Sequence, residues 1–525
     1  MDKVLEWIAS VNSVINGIVW GWPMIVMILG TGLLLTIRTK VLQVRKFGTS
    51  WGETIIPTVK SIGKPQKKGL NGEKTISPFE AFSTAISGTV GTGNIIGVSS
   101  AIMTGGPGAV FWMWVSAFFG MVTNYAENVL GMFFRKKASD GEFSGGPMQY
   151  LSEGIGMGVR GKKGSALKTF GKVLGVMAAV FCALAAIGMS GAQTNKMSLT
   201  FQGVFTQTDP TVVGIVVGVV VAIVLALIIL GGIKSIGRVA SILVPFMSVL
   251  FILMALVIII ANVSMLGSAF ALIFSNIFSF KAAIGGATGF AFAQIIQKGL
   301  ARGVFSNEAG LGSSVIAHSA SQTREPVKQG LWGIFEVFFD TFIICTLTAL
   351  VVLVSTDQQT LYGGEYVDTV ISMMAFESIF GVFGTTVYSI IIPLFAFTTI
   401  LAWSYYGEKC VDFLFRKTGD KGRKIATTVF KVAYVLLVIV SALIDGELAW
   451  AISDTFNGLM ALPNLIGLVI MSGLVVKITK NYFDRKKGLN VKPMLSAYEE
   501  QNEQFIIDLA IEQASETDTQ QDEVA

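Results

Sequence analysis

The chain has 525 residues, of which 52% are apolar and 14% charged, with a net charge of +5; a soluble domain carries nearer a quarter charged residues. That balance excludes the soluble classes, nucleic-acid binders among them, and leaves a protein that folds in lipid. Runs of about twenty apolar residues, enough to cross a ~30 Å hydrocarbon core as helix, recur along the whole sequence.

Lys3 is the only base before the first apolar stretch, and no small-residue cleavage pattern follows, so this stretch is expected to be a retained helix. Taken in order, the apolar segments fall near residues 18–37, 82–104, 107–134, 172–202, 211–232, 238–262, 286–319, 330–355, 381–407, 425–444 and 448–476. The expected fold class is therefore all-α, a polytopic membrane protein of about eleven transmembrane helices. Cys182, Cys345 and Cys410 are odd in number and two lie in apolar runs, which points to packing and not to a disulfide framework.

Charge orients the spans, because Lys and Arg concentrate on cytoplasmic loops. The stretches 38–75, 135–172, 232–238, 320–330 and 405–431, with the segment from 477 onward, hold 34 of the 39 basic residues. The loop from Ser355 to Asp368 carries acids and no bases. An odd span count, with the N-terminus outside and the C-terminus inside, is the expectation. From Leu495 the chain has no base; Phe505, Ile506 and Leu509 fit one amphipathic turn, and a disordered acidic tail fits equally well.

Two spans are poor helices in the middle. The second has Gly88, Gly91, Gly93 and Gly97 within ten residues, each weakening a helix by about 1 kcal/mol relative to alanine. Close packing through small residues is one reading. An unwound segment lining a cavity is the other, and Thr89, Thr92 and Asn94 favour it, because backbone freed from a helix at that depth needs partners. The seventh span is interrupted in the same way from Arg302 to Ser314. Setting the first span aside, these two begin matching five-helix blocks, 82–262 and 286–476. Five is odd, so the blocks have opposite topology, and paired interrupted helices mark the midplane site of an inverted-repeat transporter. Half-helix N-termini suit a carboxylate and freed carbonyls suit a cation or ammonium, so a zwitterion fits both.

Other polar residues at depth are candidates because charge is costly there. Asp340 and Glu336 lie in the eighth span, Glu308 in the seventh and Glu127 near the inner end of the third; each is either a site residue or part of a hydrogen-bonded network. Gln193 and Asn195 follow the apolar face of the fourth span. In the ninth, Thr398 and Thr399 with the carbonyl of Phe395 place three oxygens on one helix face, a hard-cation set that suits Na+. His318 is the only histidine, and a packed or a surface role is expected for it over a proton relay. No HExxH, GxSxG or P-loop pattern is present, so the chain is not expected to be an enzyme.

The runs Gly91-Thr92-Gly93-Asn94-Ile95-Ile96-Gly97-Val98, Gly105-Gly106-Pro107-Gly108-Ala109-Val110-Phe111-Trp112-Met113-Trp114 and Gly145-Gly146-Pro147-Met148 are distinctive. With Arg302-Gly303-Val304-Phe305-Ser306-Asn307-Glu308-Ala309-Gly310 and Phe338-Phe339-Asp340-Thr341, they closely resemble the alanine or glycine:cation symporter family, also called sodium:alanine symporters. The resemblance implies a five-plus-five inverted repeat of the leucine-transporter type with one extra N-terminal helix. It implies Na+-coupled, occasionally H+-coupled, uptake of alanine and glycine across the prokaryotic plasma membrane; D-alanine is a further candidate substrate. Carried over, it places substrate against Gly88, Thr89, Gly91, Thr92, Gly93, Asn94, Gln193, Phe305, Ser306, Asn307, Thr399 and Trp403, with Trp403 and Phe305 closing the pocket around a small side chain. It places Na+ against Ser87, Gly88, Val90, Phe395, Thr398 and Thr399, and a second Na+ against Asn94 and Asp340. Lys298 and Arg302 would then line a watery outer vestibule.

The expected division is residues 1–81 as the extra helix and cytoplasmic loop, 82–262 as the first repeat, 263–476 as an outer loop and second repeat, and 477–525 as the acidic tail. The expected function is Na+-coupled alternating-access import of alanine and glycine, with no cofactor beyond the coupling ion and membrane lipid as surroundings. A proton-coupled symporter and a non-transporting amino-acid sensor of the same fold are the alternatives.

Overall fold

The computed structural model describes residues 2–60, 74–138, 141–278, 280–281, 289–290, 292–364, 366–443 and 446–522. Residues 286–288, 291 and 444 of the expected spans lie outside them. Among the described residues nine helices are long and apolar enough to cross a membrane: Glu6–Arg38, Ala109–Phe134, Gly161–Val204, Pro210–Ile229, Gly232–Ala261, Pro326–Ser355, Val382–Leu414, Gly419–Ser441 and Trp450–Lys486. The two spans expected to be interrupted supply the rest, giving eleven in the expected order.

The first span is longer than its apolar run. A helix over Asp2–Val19 precedes the break at Gly21 and the helix Trp22–Arg38. Its polar residues have partners that a hydropathy reading does not see: Asn16 donates to Asp454 Oδ2 at 3.1 Å and to Thr455 Oγ1 at 3.0 Å in the eleventh span.

The second span enters through a capping box. Ser77 Oγ accepts the Glu80 amide, Glu80 Oε2 accepts the Ser77 amide at 2.8 Å, and Pro78 occupies the first turn, where its missing N–H costs nothing. Helix runs over Pro78–Thr89, breaks, forms one tight turn at Thr92–Asn94, and resumes over Ile96–Gly105. The seventh span is helical over Phe292–Asn307 and again at Val315–His318. Between them Glu308, Gly310 and Gly312 have φ of 54°, 94° and 77°; left-handed backbone is natural for the glycines and strained for Glu308.

Spans three and eight, four and nine, and five and ten pack against each other. Each is its partner's counterpart five spans later. The helix Pro78–Thr89 lies against spans six and nine, and Phe292–Asn307 against span three. Both interruptions are thus enclosed by protein, which bilayer physics demands of free backbone groups.

The chain beyond the eleventh span forms a helix over Glu499–Asp522. Phe505 packs with Phe143 and Leu495, and Arg324 pairs with Asp508 at 2.9 Å with both side chains buried. Of the two sequence readings of this tail, the amphipathic one holds, over more turns than expected.

Candidate substrate and ion site

The two breaks meet at Asp340. Its Oδ1 accepts from Asn94 Nδ2 at 2.5 Å, and its Oδ2 accepts from Ser306 Oγ and Thr341 Oγ1, both at 2.8 Å. Asn94 Oδ1 in turn accepts the free Gly91 amide at 2.9 Å. One carboxylate therefore ties the second, seventh and eighth spans together, and all four side chains that meet there are fully or almost fully buried.

A π-helical stretch over Phe338–Cys345 sets the facing of Asp340. With π spacing the residue below Asp340 is five positions on, and this is Cys345, whose Sγ lies 3.4 Å from Asn94 Nδ2 and 3.1 Å from Ser306 Oγ. Cys345 was read from the sequence as packing and Thr341 was not singled out. The packing expectation for Cys345 rests on its place in an apolar run; α-helical spacing from Asp340 leads to positions 343 and 344, and the π insertion has no composition signal that leads to 345.

The unwound second span is fastened on its other side by the fourth and ninth spans. Gln193 Oε1 accepts from Thr92 Oγ1 at 2.8 Å and from the Thr92 amide at 3.4 Å. Gly91 lies so close to the ninth span that a Cβ there would fall 2.5 Å from Thr399 Oγ1 and 3.3 Å from Gln193 Nε2. A Cβ on Gly88 would meet the Tyr406 hydroxyl at 2.9 Å, and one on Gly93 the Phe305 ring at 3.3 Å. The glycines permit close approach, and the chain is also unwound there; the two sequence readings describe one device.

Thr398 and Thr399 both donate to the Phe395 carbonyl, at 3.1 and 3.0 Å. Thr399 faces Gly91, whereas Thr398 also reaches Met247 Sδ in the sixth span at 3.7 Å. Each hydroxyl oxygen keeps lone pairs beyond the bond it donates. Ser87 and Thr89 donate back to their own helix, to the carbonyls of Thr84 and Ile86. Val90 and Phe395 are completely buried beside them.

Phe305 and Trp403, the pair expected to close the pocket, turn to different partners. Phe305 stacks on Trp450 of the eleventh span, with ring centroids 5.0 Å apart, and covers Gly93. Trp403 turns to the seventh-span break, donating from Nε1 to Glu308 Oε1 at 3.0 Å, with its ring against Tyr406. Glu308 also accepts from Ser313, and Asn307 spans from Thr341 Oγ1 to the Ala309 amide. Trp450 and Tyr406 were missed, the first because its span shows no interruption.

Beneath these groups the remaining buried carboxylates belong to networks. Glu127 accepts from Asn464, which also donates to the Gly310 carbonyl at 2.8 Å. Glu336 meets His318 at 2.8 Å, and Gln329 meets the other ring nitrogen. His318 is wholly buried, as its packed role requires. Next to Phe305 and Trp450 a cavity of about 680 Å³ is lined by Arg302, Asn195 and the Lys196–Asp368 ion pair. The Arg302 guanidinium lies 5.5 and 5.4 Å from the Phe305 and Trp450 rings, so it stands at a cavity wall where its charge meets water and aromatic faces. Lys298 packs its stem on Gly105.

The sequence profile of the sodium:alanine symporter family matches residues 5–495. The sodium/alanine symporter AgcS of Methanococcus maripaludis is 40% identical over 485 residues, covering 92% of this chain and 99% of that protein. An uncharacterized transporter of Haemophilus influenzae is 38% identical over 481 residues, covering 91% and 97%. Among solved structures, MhsT in complex with L-phenylalanine aligns with a TM-score of 0.52 at 16% identity, covering 77% of this chain and 98% of that one, which shows a shared leucine-transporter fold. Sequence over nearly the full length and fold agree: the chain belongs to the sodium:alanine symporter family.

Proposed function

We propose that this chain imports alanine, glycine and D-alanine together with Na+ by alternating access. The observation that carries the reading is the meeting of two unwound half-helix pairs at one buried carboxylate, Asp340, through Asn94 and Ser306. Free amides of the second-span break suit the substrate carboxylate, and carbonyls of the seventh-span break suit its ammonium. Thr89, Gly91, Thr92, Gly93 and Gln193 form one wall; Phe305, Ser306 and Asn307 form the other. Thr399 adjoins both substrate and ion, and Trp403 holds the seventh-span break through Glu308.

One Na+ would be held by oxygens of Ser87, Gly88, Val90, Phe395, Thr398 and Thr399, and a second by Asn94 and Asp340. The donor sets suit a hard cation because they are buried and oxygen-rich, with two sulfurs at their margins, Met247 Sδ beside Thr398 and Cys345 Sγ beside Asn94 and Ser306. One charge crossing at 100 mV is worth about 2.3 kcal/mol, so a single coupled Na+ sustains an appreciable substrate gradient.

In this reading residues 82–262 and 263–476 are the two inverted repeats, flanked by 1–81 and 477–525. The positive loops put the N-terminus outside and the C-terminus in the cytoplasm of a prokaryotic cell. Proton coupling is the second reading, favoured by the depth of Asp340. Reconstituted protein should take up alanine under an imposed inward Na+ gradient and should not under a H+ gradient of equal force. Uptake driven by H+ alone establishes the second reading, and saturable binding with no uptake under either gradient establishes a sensor.

A further inference from the structure

The inner ends of the first and eleventh spans enclose a cavity of about 600 Å³ that plays no part in the transport reading. Arg38, Lys40, Arg45, Lys46, Lys480 and Lys487 line it, against a single acid, Asp484. None of the six pairs with a carboxylate among the described residues. Arg38 donates to Ser472 Oγ at 2.6 Å, and the Lys46 ammonium lies 4.4 Å from the Phe483 ring centroid. The positive-inside tendency accounts for basic residues at helix ends. It does not account for the convergence of six of them on one cavity against a single acid.

The backbone is strained to bring them there. Lys40 and Val41 have φ of 58° and 56°, consecutive non-glycine residues in the left-handed region, and for a β-branched residue this is a real outlier. The turn is held by the Val41 amide on the Thr36 carbonyl at 2.7 Å and the Lys40 amide on the Ile37 carbonyl at 3.0 Å. It reverses the chain so that Arg45 and Lys46 face the same space as Lys480 and Lys487. Strain of this kind persists where surrounding structure enforces it, and it clusters at ligand clamps. Beside the cavity, Ile37, Val41 and Val44 on one side and Val469 and Ile470 on the other are exposed apolar side chains.

We propose that this cavity binds the phosphate of an anionic phospholipid headgroup, with the flanking apolar residues receiving its acyl chains. A phosphodiester carries one full negative charge and several acceptor oxygens, matching a cage of donors with no acceptor work to do. The apolar flank selects a lipid over free phosphate. The cytoplasmic position of the cavity follows from the orientation proposed above, but headgroup binding does not depend on it.

The test uses full-length protein in neutral detergent, titrated with short-chain phosphatidylglycerol, short-chain phosphatidylcholine or inorganic phosphate, with melting temperature and native mass spectrometry as readouts. Phosphatidylglycerol should stabilise the protein and remain bound; phosphatidylcholine should do neither. The combined substitution Lys40→Gln, Arg45→Gln and Lys480→Gln removes exposed charges with no bonded partner, so the fold is kept. Half-saturating phosphatidylglycerol should then rise on the order of tenfold or more, and added salt should weaken binding in the parent protein. Lys162→Gln, Lys163→Gln and Lys168→Gln, at the exposed start of the fourth span, should leave binding unchanged. Equal phosphatidylglycerol binding by the first triple variant, or an equal effect of phosphatidylcholine, overturns the proposal. Full stabilisation by inorganic phosphate alone overturns the lipid assignment in favour of a free-anion site.

Discussion

Asp340 is the residue on which the site turns, and its hydrogen bonds make an unusually clean charge test available. Its Oδ1 faces a donor that cannot accept, the Asn94 amide, whereas its Oδ2 faces two hydroxyls that can do either. Asp340→Asn can therefore keep its carbonyl toward Asn94 and turn its NH2 toward Ser306 and Thr341, so the network survives while the charge goes. The expected result is a rise in half-saturating Na+ on the order of tenfold, since contacts to a charged group carry about 1.5–3 kcal/mol, with loss of Na+ cooperativity and some transport retained. Loss of pH dependence with Na+ dependence intact would instead make Asp340 the proton carrier. Unchanged responses to both ions would leave it as scaffold. The participants Asn94, Ser306 and Asp340 were readable because polar residues at membrane depth stand out against an apolar background. Thr341 and Cys345 were not, because their facing depends on a π turn that propensity does not encode.

At the scale of the element, the interruptions were legible through glycine, but what each glycine is for was not. Gly91 and Gly97 look equivalent in the sequence, yet a Cβ at 91 would collide with Thr399 Oγ1 and one at 97 meets nothing within 4 Å. Gly97 sits inside the resumed helix Ile96–Gly105, where alanine is worth about 1 kcal/mol more than glycine. Gly97→Ala should accordingly transport like the parent and melt no lower. Gly91→Ala should lose transport by more than an order of magnitude at comparable expression, because either Thr399 or the unwound segment has to move and both belong to the proposed Na+ site; displacements near 1 Å can cost about 100-fold at such sites. Kinetics and melting curves on the two variants decide this; equal transport would show that the close approach of Gly91 to Thr399 plays no part in the ion site. The helix Asp2–Val19 escaped a hydropathy reading because its polar positions, such as Asn16, are satisfied only by partners in the eleventh span, more than 430 residues away in sequence. Long-range satisfaction of a polar group leaves no local trace.

For the whole molecule, the apolar runs sufficed to locate and order eleven spans, because the lipid imposes one rule on every helix. No such rule governs the segments between and beyond the spans, and there the docked C-terminal helix was the least legible part. Only Phe505, Ile506 and Leu509 advertise it, and most partners lie far off in sequence: Phe143 packs with Phe505, as does the nearby Leu495, while the Arg135 and Arg324 guanidinium groups lie 5.4 and 4.7 Å from its ring centroid. Arg135 also donates to the carbonyls of Ser319, Ser321 and Thr323, the segment that follows the seventh span. The tail therefore braces the inner end of the third span and the exit of the seventh, and the Arg324–Asp508 pair, with side chains 1% and 2% exposed, is its charged anchor. Removing one member strands a buried charge, a loss of about 3 kcal/mol or more, whereas replacing both with apolar residues of similar size is often neutral. Asp508→Asn should thus lower the melting temperature of the detergent-solubilised protein by several degrees, and Arg324→Met with Asp508→Leu should recover most of it. If the single variant melts with the parent, water reaches the pair in solution and the helix is only loosely held. If the double variant melts as low as the single one, the destabilisation belongs to lost packing around Phe505 and not to a stranded charge.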